Sequence, residues 1–328
     1  MFNEIVITDW RGYINRDGFL FTNVTHPANI YDAIHIRNVK DNKIQYGCFP
    51  KSYHSLEAHI EFVKKYQIKK ASILASNIDF LRHMPSLQHL FLTIYQREGE
   101  INYDSLYTLP QIKSLVINDL DWGQIDMSPD YAKLKCLEYI NVSQKGHINF
   151  EKIETLKSLG IGSWKKKNLN GLFVSEQLDT LRMIQCGMHS LDGIERSKKM
   201  QCLYLHYNRS LRDINALAKV KKTLRALRIE NCPKIEDFSV LAELENLELL
   251  ELTGKNTLPD LQFLKKMKNL KTFVFDMNVL DGDLTPCLDL SYVYSRKNRK
   301  HYNVKDKEMP RGEYVRGNED IELWRRME

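Results

Sequence analysis

The sequence predicts an α/β solenoid, a chain that winds through similar coils and contributes one short strand per coil to a curved parallel sheet. Two observations predict this fold. Apolar residues recur with one spacing in successive stretches that begin at Met200, Leu224 and Leu247. The first apolar position of this unit can also be followed from Ile68 to Leu270 in steps of 19 to 25 residues. Self-similarity at a nearly fixed period indicates a repeat architecture.

The repeat has the pattern LxxLxLxx(N/C)x(L/I)xx(I/F)xxL, which is the leucine-rich repeat, with an expected period of about 20–29 residues. One full copy consists of Leu224, Leu227, Ile229, Cys232, Ile235, Phe238 and Leu241. Each LxxLxL is predicted to be a strand whose leucines point into the core, while the residues between them face outward on the concave side. The predicted fold is therefore a leucine-rich repeat solenoid with a curved, parallel, concave β-sheet, over residues 67–283.

Residues 1–66 lack the repeat and are predicted to form an N-terminal α/β cap, because an open solenoid end would expose core side chains. A separate functional domain is the alternative, although 66 residues make a marginal core. Ser55 is expected to cap an amphipathic helix that ends near Tyr66. Alternating apolar residues indicate short strands at Ile5 and Ile7, Phe19 and Phe21, and Ile34 and Ile36.

Residues 284–328 are predicted to form a C-terminal cap strand and a basic tail that lies over the last coil. The tail contains the basic stretch 295–307, SRKNRKHYNVKDK. Like the Lys165–Lys167 cluster, this run is expected to be a solvated surface. The alternative is an electrostatic contact for an acidic partner or a nucleic-acid backbone. Nucleic acid is not favoured, because no stacking aromatics are interleaved with the basic residues.

The ninth repeat position turns the chain away from each strand, and its side chain is expected to bond backbone groups of neighbouring coils. Lys255 departs from this pattern. The predicted structural ladder consists of Cys186, Asn208, Cys232 and Asn278. Cys186 and Cys232 are therefore interpreted as buried structural thiols rather than nucleophiles.

The return side of the repeat carries a second signature, seen in Leu211-Arg-Asp213-Ile214, Ile235-Glu-Asp237-Phe238 and Leu258-Pro-Asp260-Leu261. With it, residues 178–278 resemble the internalin-like group of bacterial leucine-rich repeat proteins. The resemblance implies a right-handed solenoid that binds protein on its concave face. The N-terminus, MFNEIVITDW, lacks the features of a secretory signal, and no apolar run is long enough to cross a membrane. A cytoplasmic protein is therefore expected, and host-cell adhesion is not carried over.

Few residues point to catalysis. Cys287-Leu-Asp289 matches the nucleophile loop of secreted bacterial ubiquitin ligases, but the large helical domain of that family does not fit into the residues that follow. The ten histidines form no HExxH and no paired ligand spacing, so no metal site is predicted. Phosphate-binding glycine motifs are also missing, and no cofactor is expected. The net charge of +6 over 328 residues does not by itself indicate nucleic acid.

The candidate site is the concave face, where residues of neighbouring strands lie about 5 Å apart. Arginine and tyrosine are enriched at binding hot spots, because they combine buried area with directional hydrogen bonds. The alternative is a solvated face on which Arg228 pairs with Glu251, and Glu230 with His206. The predicted partner-binding residues are Tyr139, Arg182, Tyr204, His206, Arg228, Glu230, Glu251 and Asp276.

These observations favour a non-catalytic protein that binds another protein, in one version an inhibitor or immunity-type protein that occludes an enzyme. The alternative is a regulatory or scaffolding subunit that uses its basic tail. An enzyme with a site in the cap is a third, less favoured hypothesis. The chain is expected to be monomeric when unbound.

Overall fold

The computed structural model describes residues 33–37, 56–75, 78–94, 102–119, 129–142, 149, 152–172 and 176–317. The strands predicted around Ile5 and Phe19, and the capping residue Ser55, lie outside these ranges. The chain forms two compact units: Met1–Asn149 together with Leu323–Glu328, and Phe150–Glu322.

The described residues of the first unit form five parallel strands and one α-helix. In chain order these are β1 (Ala33–Arg37), α1 (Leu56–Tyr66), β2 (Lys70–Ala75), β3 (His89–Ile94), β4 (Ser114–Asp119) and β5 (Tyr139–Val142). Each strand pairs in parallel with the next one along the chain. The strand predicted at Ile34 and Ile36 and the helix predicted to end near Tyr66 are both confirmed.

The core of the first unit is built by the repeat positions that the sequence marks as apolar. The first apolar residue of each coil is almost completely buried, with at most 1% of its surface exposed: Ile68, Leu87, Ile112 and Leu137. Within β3, Leu90 and Leu92 alternate inward and are 0% and 1% exposed. Burial of such side chains stabilises the coil by about 1.5–3 kcal/mol each.

The described residues of the second unit contribute seven strands to a parallel sheet and form a separate two-stranded sheet. The seven strands are β6 (Ser158–Gly162), β7 (Thr180–Ile184), β8 (Cys202–His206), β9 (Ala226–Glu230), β10 (Leu249–Thr253), β12 (Thr272–Phe275) and β14 (Tyr292–Ser295). On the return side, β11 (Thr257–Leu258) pairs in parallel with β13 (Asn278–Val279). The fold is the predicted leucine-rich repeat architecture, with one strand of a parallel sheet per coil.

Strand register in this unit confirms the rows that repeat spacing predicts. Arg182 pairs with Tyr204, Tyr204 with Arg228, and Arg228 with Glu251. These side chains therefore occupy one row on the concave side of β7 to β10. His206 and Glu230 lie side by side in the next row.

The aspartates of the return signature begin short 3₁₀ helices. The Asp213 Oδ1 atom accepts the Asn215 amide at 2.8 Å, and Asp237 accepts the Ser239 amide at 2.8 Å. Asp260 accepts the Gln262 amide at 2.7 Å in the same way. Each carboxylate satisfies an amide that has no partner inside the 3₁₀ turn, which explains why the signature places aspartate before the apolar residue.

The ladder position joins neighbouring coils through buried polar atoms. Asn208 is completely buried, and its Nδ2 atom donates to the Met183 carbonyl at 3.1 Å while its Oδ1 atom accepts the Cys186 amide at 2.8 Å. The Cys232 thiol lies 3.6 Å from the Leu205 carbonyl. In the next coil, Asn256 takes this place and donates to the Cys232 and Ile235 carbonyls at 3.2 and 2.7 Å.

The chain after β14 turns back on the sheet in two parts. An anchor segment, residues 296–309, is fixed by buried side chains: the Tyr302 hydroxyl donates to the Met277 carbonyl at 3.2 Å and accepts the Val279 amide at 3.1 Å. A strap, residues 310–317, first follows β14, where the Val293 amide donates to the Pro310 carbonyl at 2.9 Å. The strap then crosses the concave face and packs on strands as far away as β8.

This arrangement differs from the expected tail over the last coil. The strap reaches further because Tyr314 and Val315 are apolar and pack against buried Cys202, Tyr204, Ala226 and Leu249. The basic run is also more ordered than a solvated surface requires. Lys305 is held by the fold, since its Nζ atom donates to the carbonyls of Arg299 and Tyr302 at 2.9 and 2.6 Å, whereas Lys300 and Lys307 are exposed.

Candidate binding surface on the concave face

Arg228 is the centre of a charged row on β8, β9 and β10. Its guanidinium carbon lies 5.4 Å from the centroid of the Tyr204 ring, within the range of a cation–π contact. Its Nε atom lies 3.2 Å from Glu251 Oε2, and the two side chains are only 12% and 11% exposed. The second oxygen of Glu251 is 2.5 Å from Nη2 of Arg296 in the anchor segment. Glu251 is therefore held by two guanidinium groups.

A second pair lies in the neighbouring row. His206 Nδ1 is 2.9 Å from Glu230 Oε2. The side chains are 11% and 30% exposed, so the carboxylate is the more accessible partner. Both pairings that the sequence suggested, Arg228 with Glu251 and His206 with Glu230, are present. They fix the side chains of the concave face in defined positions.

The strap covers one part of this face. Tyr204 has no exposed surface. The Arg228 Nη2 atom donates to the Tyr314 hydroxyl at 3.1 Å, and the Val315 amide donates to the Thr272 hydroxyl at 3.0 Å. Gly317 lies so close to the Tyr204 hydroxyl that a side chain at position 317 would collide with it. We refer to the covered area, Cys202, Tyr204, Ala226, Arg228, Leu249 and Thr272, as the groove.

The remaining predicted site residues lie around this centre or apart from it. Arg182 is half-buried on β7, beside Tyr204 in its row. Asp276 follows β12 and has a structural role, because its carboxylate accepts the Gly254 amide at 2.6 Å and pairs with Lys297 at 3.3 Å. Tyr139 belongs to β5 of the first unit. The structure thus brings together six of the predicted residues: Arg182, Tyr204, His206, Arg228, Glu230 and Glu251.

Other residues of this surface were not identified from the sequence. Arg296 and Tyr314 reach the face from the C-terminal segment, and Tyr207 lies directly after β8 with 41% of its surface exposed. The backbone of Tyr207 has φ of 55°, in the left-handed region. The apolar pair Tyr314-Val315 within a polar tail was the available signal for the strap. Tyr207 carries no such signal, because it simply follows two residues after the LxxLxL unit that ends at Leu205.

Three of the described thiols, Cys186, Cys232 and Cys287, are buried and poor nucleophiles at neutral pH. Burial raises the pKa of Cys186 to about 12, that of Cys232 to about 11 and that of Cys287 to about 12. A thiol with so high a pKa remains protonated and unreactive. Among the residues that the structure describes, no group of three or more His, Cys, Asp or Glu side chains could hold a metal ion. No helix among the described residues is long and apolar enough to cross a membrane.

Two solved structures share this architecture. An internalin, InlF, from Listeria monocytogenes matches with a TM-score of 0.53 and 15% sequence identity, over 81% of this chain and 78% of its own. The leucine-rich repeat protein LIC12759 of Leptospira interrogans matches with a TM-score of 0.54 and 16% identity, over 76% of this chain and 65% of its own. No protein-family model and no curated protein sequence matches the chain. The repeat spacing, the strand register and these two similarities together assign the chain to the leucine-rich repeat fold.

Proposed function

We propose that this chain is a non-catalytic protein-binding protein and that its partner docks on the concave face of β7 to β10. The observation that carries the proposal is a pair of partly exposed side chains, Arg182 and Glu230, beside a charged row that the fold holds in place. In that row Arg228 and Glu251 form an ion pair at 3.2 Å under the strap, and Glu230 is itself fixed by its pair with His206 at 2.9 Å. An accessible side chain that is already held in place loses less conformational entropy on binding, so such a surface supports tight association.

The accessible part of the face lies beside the groove. We call it the open patch and define it as Arg182, Tyr207 and Glu230. Arg182 and Glu230 are partly exposed, and Tyr207 is 41% exposed. Arginine and tyrosine are the residue types that contribute most to hot spots, and a carboxylate beside them adds charge specificity. A partner with a complementary cationic and anionic pair would fit this patch.

Within this role, the specific version that we favour is an inhibitor or immunity-type protein that occludes a partner enzyme. The scaffolding alternative relies on a basic tail that recruits another molecule. Several cations of that tail are engaged within the chain: Arg296 with Glu251, Lys297 with Asp276, and Lys305 with backbone carbonyls. Cations committed in this way are less available for a partner, which favours the concave face.

The test is a pull-down with three forms of the chain. The first is the wild type, and the second carries Arg182→Glu and Tyr207→Ala in the open patch. The third is a matched control on the return side, with Arg212→Glu and Leu280→Ala at two exposed positions. We expect one stoichiometric protein with the wild type and the control, and its loss with the open-patch variant. If all three forms retain it equally, the concave face is not the binding surface.

Two further measurements separate the specific versions. The activity of the captured protein is measured with and without this chain, and an unchanged activity would rule out an inhibitor. The tail is tested with Lys300→Glu and Lys307→Glu, two exposed positions, rather than by deletion, because the anchor segment is part of the fold. A scaffold that uses the basic tail should lose its partner in this variant, whereas a concave-face inhibitor should keep it.

A further inference from the structure

The strap and the anchor segment differ in how deeply their side chains are buried. Tyr302 and Met309 of the anchor segment are 3% and 4% exposed. In the strap, Tyr314 and Val315 are only half-buried, and Arg316 is exposed. The anchor segment is therefore an integral part of the solenoid end. The strap beyond Gly312 packs on a surface that the repeats form without it.

The groove beneath the strap has the features of a site for an extended peptide. Its floor is apolar, formed by Cys202, Ala226 and Leu249 at 4%, 3% and 1% exposure. Its polar groups are aimed at the strap, since Arg228 Nη2 donates to the Tyr314 hydroxyl and the Thr272 hydroxyl accepts a backbone amide. Apolar contacts and a few directed polar groups are what peptide grooves use for affinity and register.

Three strap residues, Tyr314, Val315 and Gly317, each match one feature of the surface beneath them. The Tyr314 ring meets Tyr292 edge to face at 5.2 Å between centroids, and its hydroxyl reaches Arg228. Val315 packs on the apolar floor and donates its amide to Thr272. Gly317 passes over the Tyr204 hydroxyl where a side chain would not fit. The groove therefore selects a tyrosine followed directly by an aliphatic residue, with a small residue two positions later.

We propose that the groove binds an extended segment of a partner protein with this chemistry, tyrosine–aliphatic–any residue–glycine, and that the strap occupies the groove in its place until the partner arrives. This inference rests on the proposed protein-binding function and names the kind of segment that is recognised. The strap acts as a tethered competitor, because a covalently linked segment has a high effective concentration at its site. Partner binding then requires displacement of the strap, and affinity rises when the strap is weakened.

The test uses a labelled synthetic peptide, RGEYVRGNE, which is the sequence of residues 311–319. It is titrated by fluorescence anisotropy against the full-length chain and against a strap variant with Tyr314→Ser, Val315→Ser and Gly317→Ala. We expect the strap variant to bind the peptide at least ~10-fold more tightly than the wild type, as removal of a tethered competitor requires. A circular dichroism spectrum equal to that of the wild type and a cooperative melting transition show that the strap variant is folded.

A double-mutant cycle tests the predicted pose. The peptide with tyrosine is compared with its phenylalanine form, against the strap variant and against the strap variant that also carries Arg228→Met. Loss of the hydroxyl should weaken binding ~5-fold when Arg228 is present, the value of one ordinary hydrogen bond. The same change should have no effect when methionine replaces it, because methionine has no donor for the hydroxyl.

Three results would overturn the proposal. In the first, a folded strap variant does not bind the peptide. In the second, the wild type and the strap variant bind it equally well. In the third, the wild type is a dimer and the strap variant is a monomer. The third result would assign the groove to a second copy of the chain. Failure here is distinct from failure of the proposed function, because the pull-down variant changes the open patch and leaves every groove residue intact.

Discussion

Replacement of Asn208 by alanine tests whether the buried ladder holds neighbouring coils together. The Asn208 side chain has no exposed surface and bridges to the preceding coil, accepting from the Cys186 amide at 2.8 Å and donating to the Met183 carbonyl at 3.1 Å. Alanine removes both bonds at once. The two backbone groups left behind lie in the interior, where they have little access to water.

The magnitude follows from those two groups. A buried donor or acceptor without a partner costs about 1–3 kcal/mol. Two such groups, with partial relief by rearrangement, give an expected loss of about 3 kcal/mol in the free energy of unfolding. With a urea m-value of about 3 kcal/mol per molar, the unfolding midpoint should fall by about 1 M. The assay is urea unfolding followed by circular dichroism and tryptophan fluorescence, as two independent probes.

The matched control is Asn269→Ala. The Asn269 Nδ2 atom also donates to a carbonyl of the preceding coil, that of Glu245 at 2.9 Å, but the residue is exposed. Its loss should cost about 0.5 kcal/mol or less, because water can replace the bond. If Asn208→Ala lowers the midpoint no more than this control, the buried ladder does not stabilise the coils as argued.

Three further predictions concern charge and thiols. Glu251→Gln should reduce the free energy of unfolding by about 2 kcal/mol, since the buried Arg228 and the half-exposed Arg296 both lose their anion. Amide hydrogen exchange should then accelerate over residues 296–317. The Ser239 amide holds the pKa of Asp237 below its ordinary 3.8. The stabilisation that this carboxylate contributes is therefore complete at neutral pH and is lost as the pH falls through the lowered pKa. A titration of the Asp237 carboxyl followed by nuclear magnetic resonance should have its midpoint below 3.8. Burial raises the pKa of Cys186 to about 12, so iodoacetamide should modify the exposed Cys136 in the native chain and Cys186 only after unfolding, as mapped by mass spectrometry.

Each of these predictions has a comparison that would contradict it. Glu243→Gln removes a half-exposed pair with Lys221, at 3.1 Å, and should change stability by less than about 0.5 kcal/mol; an equal effect at Glu251 would refute the buried pair. An Asp237 midpoint above 3.8 would contradict the amide bond. Alkylation of native Cys186 as fast as that of Cys136 would show that the thiol is accessible.

The part of the fold that could be predicted is the part encoded by local periodicity. Leucines at the LxxLxL positions are buried, and the row Arg182, Tyr204, Arg228 and Glu251 follows from counting along successive coils. The pairing of His206 with Glu230 follows in the same way. In a solenoid each coil contacts mainly its neighbours, so the spacing of residues along the chain determines which side chains meet.

The remaining features of the fold and the site could not be predicted, because the repeat spacing carries no information about them. Asn256 occupies the place after Lys255 in the ladder, because Gly254 adopts φ of 138° and lets the chain take one extra residue at the corner. Tyr314 meets Arg228 across 86 residues of sequence, and no repeat relates the two positions. Tyr204 is consequently buried by a segment outside the repeats. An outward position in a strand is exposed only if nothing later in the chain covers it.

The last strand of the sheet has a consequence for association between chains. The amides of Val293 and Ser295 point away from β12, and they donate to the Pro310 carbonyl at 2.9 Å and to Asp306 Oδ1 at 2.8 Å. A free edge of this kind is a template for the edge strand of another molecule, and repetition of that contact leads to fibres. Residues 306 and 310 therefore cover the edge of the sheet and prevent edge-to-edge growth at this end of the repeats. Chains that lose these two contacts should aggregate at lower concentration.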